Sequence, residues 1–278
     1  MNKTTLSERL AVCSWSLQPS SVADLAAKLN ATGIRRAQLA LDPLRDPLAG
    51  WEQTEKVLQE KKIIIVSAMF GCVGEDYSTL ETIRLTGGIA PDATWEQNRK
   101  NIRTSAGVAA KLRLKLVTFH AGFLPHDETA PAFAKMLRRL GEVSDIFAAE
   151  KIELGLETGQ ETAAALAGLL GKLDRPNLGV NFDPANMILY NKGDPVEALS
   201  TLAPWLRQVH IKDATKTKTP GTWGDEVQVG RGEVDWKSFF SVLRERAFSG
   251  DIVIEREAGS RRIADICAAK TVVEENYV

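Results

Sequence analysis

Apolar positions along the chain alternate between two spacings. Short runs that read as strands lie at 11–17, 36–41, 63–69, 115–120, 152–157, 178–183, 208–213 and 251–255. Between them the spacing turns helical. Val22, Leu25, Ala26 and Leu29 fall at i, i+3, i+4 and i+7, and Phe133, Met136, Leu137, Leu140, Val143 and Phe147 continue that period. Leu166, Leu169, Leu170 and Leu173 repeat it, as do Trp236, Phe239, Phe240, Leu243 and Ala247. Fainter helical stripes lie near 48–61, 94–111, 194–206 and 259–276. Each predicted strand is followed by a predicted helix.

Strict strand–helix alternation implies parallel strands joined by crossover helices. Eight such units need about 250 residues plus loops to form a (β/α)8 TIM barrel, and the chain has 278. The first strand runs into SWSLQPS rather than the glycine-rich phosphate turn of an open, doubly wound sheet. No linker or shift of composition divides the sequence. The expected architecture is one α/β barrel domain over 1–278. Two connections, 70–93 and 214–235, exceed what a barrel requires. Both follow strands, so both fall on the C-terminal face, as walls or a lid over a ligand.

Charge and composition narrow the function classes. With 35 basic and 36 acidic residues the net charge is −1, so nothing attracts a nucleic-acid backbone. The longest apolar runs are strand-sized, well short of the roughly 20 residues that span a bilayer. The N-terminus shows no apolar core of a signal peptide. Cys13, Cys72 and Cys267 are unclustered and odd in number, which argues against a disulfide framework or a cysteine zinc site. The expected compartment is the cytoplasm.

The chemistry concentrates at the ends of the last four strands, at Glu157, Asp183, His210 and Glu255. Side-chain alternation places Gly155 with Glu157, Asn181 with Asp183, Gln208 with His210, and Val253 with Glu255 on shared faces. In a closed barrel these ends converge at one side of the mouth. Any one of these acids has a plain structural reading as a helix cap or surface charge. Three carboxylates and an imidazole together repel unless a cation joins them, and a divalent metal takes such ligands. An oxygen-rich site with one histidine accepts Mn, Mg, Co or Zn.

The strings GLETGQE (155–161), NFDPANM (181–187), VHIKDA (209–214), GRGEVDW (230–236) and VIEREAG (253–259) resemble the xylose-isomerase-like barrel superfamily. The resemblance is strongest to its sugar phosphate isomerase/epimerase group, which includes ketose 3-epimerases and inosose dehydratases. It implies one divalent cation on Glu157, Asp183, His210 and Glu255, with Glu157 and Glu255 as the catalytic pair on opposite faces of the substrate. The implied activity is an isomerase or epimerase of a small keto-sugar or cyclitol, moving a proton through a metal-stabilised enediolate. A dehydratase or keto-glycoside lyase uses the same start, and a silent sugar-binding barrel is the non-enzymatic alternative. Relatives often form dimers or tetramers. Where the best-known epimerases carry Asp-x-x-His, this chain has Asp183-Pro-Ala-Asn186, which sets direct transfer of the 3-epimerase label in doubt. The histidine-rich trimetal nucleases of the superfamily are a poor match, since the only histidines are His120, His126 and His210.

Further candidates for substrate contact are His120, Gln160, Asn186, Lys212, Arg231 and Trp15. Four of them have a structural alternative: a buried histidine for His120, a lysine reaching solvent at the rim for Lys212, a turn-stabilising arginine for Arg231 and a core tryptophan for Trp15. Glu161 reads as a hydroxyl contact or a helix-opening charge. Glu257 shares parity with Glu255 and is its rival as ligand. His126 reads as an exposed loop residue.

Overall fold

The computed structural model describes residues 8–125 and 127–277, so His126 lies outside the described residues. Among the described residues there are ten strands: β1 (Leu10–Cys13), β2 (Arg36–Ala40), β3 (Ile64–Met69), β4 (Leu116–Phe119), β5 (Glu153–Glu157), β6 (Leu178–Phe182), β7 (Leu206–Ile211), β8 (Asp213–Thr215), β9 (Asp225–Val227) and β10 (Ile252–Ile254). All but β8 and β9 form a closed parallel barrel in the order β1-β10-β7-β6-β5-β4-β3-β2. Leu10 pairs with Ile252 on one side and Val12 with Ala37 on the other, and this double pairing of β1 closes the ring. The expected TIM barrel is the observed fold.

Eleven helices accompany the described strands: α1 (Val22–Thr32), α2 (Asp42–Arg45), α3 (Thr54–Glu60), α4 (Leu80–Thr86), α5 (Asp92–Lys111), α6 (Pro131–Ala149), α7 (Ala163–Leu173), α8 (Pro184–Leu189), α9 (Pro195–Leu202), α10 (Trp236–Glu245) and α11 (Arg262–Asn276). Apolar stripes read from the sequence are the buried faces. Leu25 and Leu29 of α1, Leu140, Val143 and Phe147 of α6, and Phe239 and Phe240 of α10 are all buried. Phe70, Phe119 and Phe147 stack between the barrel and α6, with centroids 4.8 and 5.8 Å apart.

Three expectations about elements need correction. The strand expected over 11–17 ends at Cys13, and Ser14–Leu17 coils into a 3-10 turn. Ser14 and Ser16 divert the chain there: their hydroxyls accept from the Ala40 and Arg256 N–H groups, at 2.9 and 2.8 Å. The stripe near 48–61 belongs to α3, with the short α2 before it. The long loop at 70–93 contains α4, and the one after β7 folds into an antiparallel hairpin of β8 and β9.

Inside the barrel the strands carry polar side chains that satisfy one another. Gln38 Nε2 donates to Thr118 Oγ1 at 2.8 Å, and Gln208 Nε2 to Gln38 Oε1 at 3.0 Å. Ser67 Oγ donates to Gln208 Oε1 at 2.6 Å, and Gln208 also reaches Asn181 Oδ1 at 3.1 Å. All five residues are fully buried, so each hydrogen bond avoids the desolvation penalty an orphaned group would carry. This layer is the floor on which the site stands.

Candidate active site

Four consecutive barrel strands, β5, β6, β7 and β10, each deliver one side chain just above that floor. Glu157 is the last residue of β5. Asp183 follows β6 as the N-cap of α8, where one oxygen, Oδ1, accepts from the Asn186 N–H at 2.9 Å. Its other oxygen, Oδ2, is buried without a hydrogen bond. The capping role and an inward role are thus both available, one per oxygen. His210 lies in β7 and is fully buried, and Glu255 follows β10.

His210 Nδ1 lies 3.3 Å from Glu255 Oε2, 3.6 Å from Glu157 Oε1 and 3.7 Å from Asp183 Oδ2. One ligand-type atom from each of the four residues lies within 4.8 Å of all the others. That spread is about twice a 2.1–2.4 Å metal–ligand bond, so one coordination sphere can include all four. The far nitrogen, Nε2, is 2.8 Å from Gln38 Oε1 and 3.0 Å from Asn181 Nδ2; in the tautomer that donates from Nε2 to Gln38, Nδ1 offers a lone pair. Asn181 Nδ2 donates to Glu157 Oε2 at 3.2 Å. Burial pushes His210 and Lys212 down, yet the groups around them raise both well above their ordinary values: Cys13 and then Glu255 and Glu157 for His210, and Glu255, Glu257 and Asp183 for Lys212. The pocket therefore demands positive charge. The orphaned Nδ1 and Oδ2, the donor set and the spacing all fit a divalent cation.

Lys212, two residues beyond His210, is buried rather than reaching solvent. Its Nζ donates to Glu255 Oε2 at 3.0 Å and to Glu257 Oε2 at 2.5 Å. Glu257 thereby sits outside the cluster, and Glu255 inside it. Trp15 belongs to the 3-10 turn after β1, and its Nε1 donates to Glu255 Oε1 at 2.6 Å. Asn186 Nδ2 donates to Glu157 Oε1 at 3.0 Å, and His120 Nε2 lies 3.5 Å from the same oxygen. These groups open onto a cavity of about 420 Å³ at the mouth. Its far wall includes Tyr77, Leu189, Tyr190 and Trp223, with Tyr190 and Trp223 edge to face at 4.7 Å.

Two expected contact residues lie off this cavity. Gln160 is buried behind it, in the turn beneath Tyr190, where Gly159 at φ +132 leaves no room for a Cβ against Asn186. Arg231 is exposed in a turn closed by its own N–H to Gln228 O, and does not line the cavity. The turn is held instead by buried Asp213. Its carboxylate accepts from the N–H groups of Ala214, Gly230, Gly232 and Val234 and from Trp236 Nε1. Glu161 accepts from the Leu124 N–H, and burial pushes its carboxyl up to about 7.

Sequence reasoning missed Gln38, Asp213, Glu75 and Glu226. Gln38 left a usable signal, a polar residue at inward parity within the apolar run RAQLAL. Asp213 left none beyond its place in VHIKDA.

A family model described as a xylose isomerase-like TIM barrel matches residues 23–275. The chain belongs to that family. Within the xylose isomerase-like barrels, a xylose isomerase domain protein from Planctomyces limnophilus has 27% identity and a TM-score of 0.81, covering 90% of this chain and 89% of that one. A D-allulose 3-epimerase from Methylomonas sp. has a TM-score of 0.72 over 97% of both chains, at 17% identity, a likeness of fold alone. A 3-dehydroshikimate dehydratase of Bacillus anthracis is 31% identical over 81 residues, 28% of this chain and 29% of that protein. The chain covers under a third of the length of the curated relatives it matches. No helix among the described residues is long and apolar enough to cross a membrane.

Proposed function

We propose that this xylose isomerase-like barrel is a divalent-cation-dependent isomerase or epimerase of a small keto-sugar or cyclitol. One observation carries the reading: Glu157, Asp183, His210 and Glu255 bring ligand atoms within 4.8 Å of one another, beside a mouth cavity that Glu255 itself lines. A cation held there would act as a Lewis acid on the oxyanion that develops beside the carbon losing its proton. Glu157 and Glu255 come from β5 and β10, with β6 and β7 between them in the barrel. A substrate lying across the cluster meets one carboxylate from each side, so one can take a proton and the other return it. Trp15 and Lys212 fix the Glu255 carboxylate, while Asn186 and Asn181 fix that of Glu157. Asp183 and His210 would hold the cation in place. His120 and Asn186 border the space a sugar hydroxyl would enter.

A dehydratase is the second reading, supported by the stretch shared with the Bacillus anthracis enzyme. It uses the same first proton transfer and then expels water. Incubation of the protein with Mn²⁺ in deuterated buffer, against ketoses and inososes, tests both. Exchange with inversion supports the epimerase and loss of water the dehydratase. Absence of exchange with every compound overturns the enzymatic reading in favour of a binding barrel.

A further inference from the structure

We propose that the cavity selects an uncharged, hydroxyl-rich carbonyl compound and excludes its phosphorylated and carboxylated counterparts. The proposal rests on the cavity being the reaction chamber described above. Charge is the first support. Among the described residues lining it are Asp42, Glu75, Glu226, Glu255 and Glu257, against Lys212 and His120. Lys212 is already committed to Glu255 and Glu257. The neighbouring guanidinium groups are spent too, Arg45 on Asp42 at 2.9 Å and Arg256 on Glu226 at 2.7 Å. A divalent cation and Lys212 together balance Glu157, Asp183 and Glu255. Glu75 and Glu257 remain, so the wall facing a ligand is negative.

Hydrogen-bond accounting is the second and independent support. Anion sites on barrel mouths are built from loop N–H groups and cationic side chains. Here the rim N–H groups point at the protein's own carboxylates. Cys72 and Gly88 donate to Glu75 at 3.2 and 2.9 Å, and Gly71 to Asp42 at 3.2 Å. Glu257 and Ala258 donate to Glu226 at 2.9 and 3.1 Å. Glu75 and Glu226 thus fill the nests a phosphate would need. Trp15 Nε1 and Asn186 Nδ2 are likewise directed at Glu255 and Glu157. The wall is rich in acceptors, with the donors Trp15 Nε1 and Asn186 Nδ2 already taken and the Trp223 indole N–H left without a partner. A phosphate or carboxylate brings only acceptors, whereas hydroxyl groups bring the missing donors. The aromatic wall of Tyr77, Tyr190 and Trp223 suits the apolar C–H face of a sugar.

Titration calorimetry on the Mn²⁺-loaded protein tests this with D-fructose, its 1- and 6-phosphates, scyllo-inosose and 3-dehydroshikimate. The uncharged compounds should bind at least ~tenfold more tightly than the anionic ones at low salt. Glu75→Gln and Glu257→Gln, each checked for native circular dichroism, should narrow that gap several-fold. A phosphorylated or carboxylated compound binding as tightly as the uncharged ones overturns the proposal, and so does the absence of binding by every uncharged compound. Preferential binding of uncharged compounds without deuterium exchange upholds the selectivity and overturns the proposed reaction instead.

Discussion

His210 Nε2 and Gln38 Oε1 lie 2.8 Å apart in the barrel interior, and this contact decides which face of the imidazole meets the acid cluster. A ligating histidine commonly needs such a partner to fix its tautomer and ring angle. Replacing Gln38 by Leu should weaken Mn²⁺ binding by ~10–100-fold, read by calorimetry. It should also cost about 1–3 kcal/mol of stability, because Thr118 and Gln208 lose a buried partner. Unchanged metal affinity in a folded variant would remove Gln38 from the site.

Chelation should abolish turnover and lower the melting temperature, and Mn²⁺ should restore both. Ligand linkage predicts a gain of about 2.7 kcal/mol at a hundredfold excess over Kd. Asp183→Ala and His210→Ala should each eliminate the Mn²⁺-dependent shift in calorimetric melting. A shift of native size in both variants would place the cation elsewhere.

Glu157→Gln and Glu255→Gln keep the side-chain shape while removing the base. Each should lower kcat by ~10²–10⁴-fold, with a far smaller change in substrate Kd. Exchange of the substrate proton, followed by NMR, separates the two roles. The variant lacking the accepting base loses exchange altogether, while the other retains it without inversion. Near-native kcat in either variant would exclude that residue from proton transfer.

Asp213 makes a prediction about stability alone. Its two oxygens organise the turn 230–236 through three backbone N–H groups and one indole, and also accept from the Ala214 N–H. Asp213→Ala leaves these donors buried without an acceptor and should cost more than ~3 kcal/mol in urea denaturation. A loss below 1 kcal/mol would show that the turn holds itself.

Glu161 provides a pH signature. Burial raises its carboxyl to about 7 in the folded protein, against about 4.3 unfolded. The folded state then binds the proton more tightly, so this contribution to stability is full below pH ~4.3 and lost as pH rises through about 7. Glu161→Gln keeps an acceptor for the Leu124 N–H and does not ionise. Relative to wild type, the variant should gain ~1–3 kcal/mol between pH 5 and pH 8 in denaturant titrations. A constant difference across that range would rule out the raised carboxyl.

The barrel was legible because strand-length and helix-length periods alternate without interruption, and a short βα repeat leaves few ways to close. The acid cluster was legible because Glu157, Asp183, His210 and Glu255 all fall where the strand pattern ends, at a shared parity. The turn at Ser14–Leu17 was not, since its apolar positions prolong the alternation of β1 while two serine hydroxyls bend the backbone toward distant strands. Arg231 misled for a related reason: position on a mouth loop does not fix the direction of a side chain. The supporting carboxylates Glu75 and Glu226 work through backbone N–H groups far along the chain, which residue spacing does not encode.

The cross-linked amides and hydroxyls of Ser67, Gln38, Thr118, Asn181 and Gln208 have one further effect. They fill the cylinder beneath the site with hydrogen-bonded side chains. Under the proposed reaction, reactant and product would both occupy the mouth cavity above this plug, so they would compete for it, and the rate at which product clears it would bound how fast the next molecule is handled.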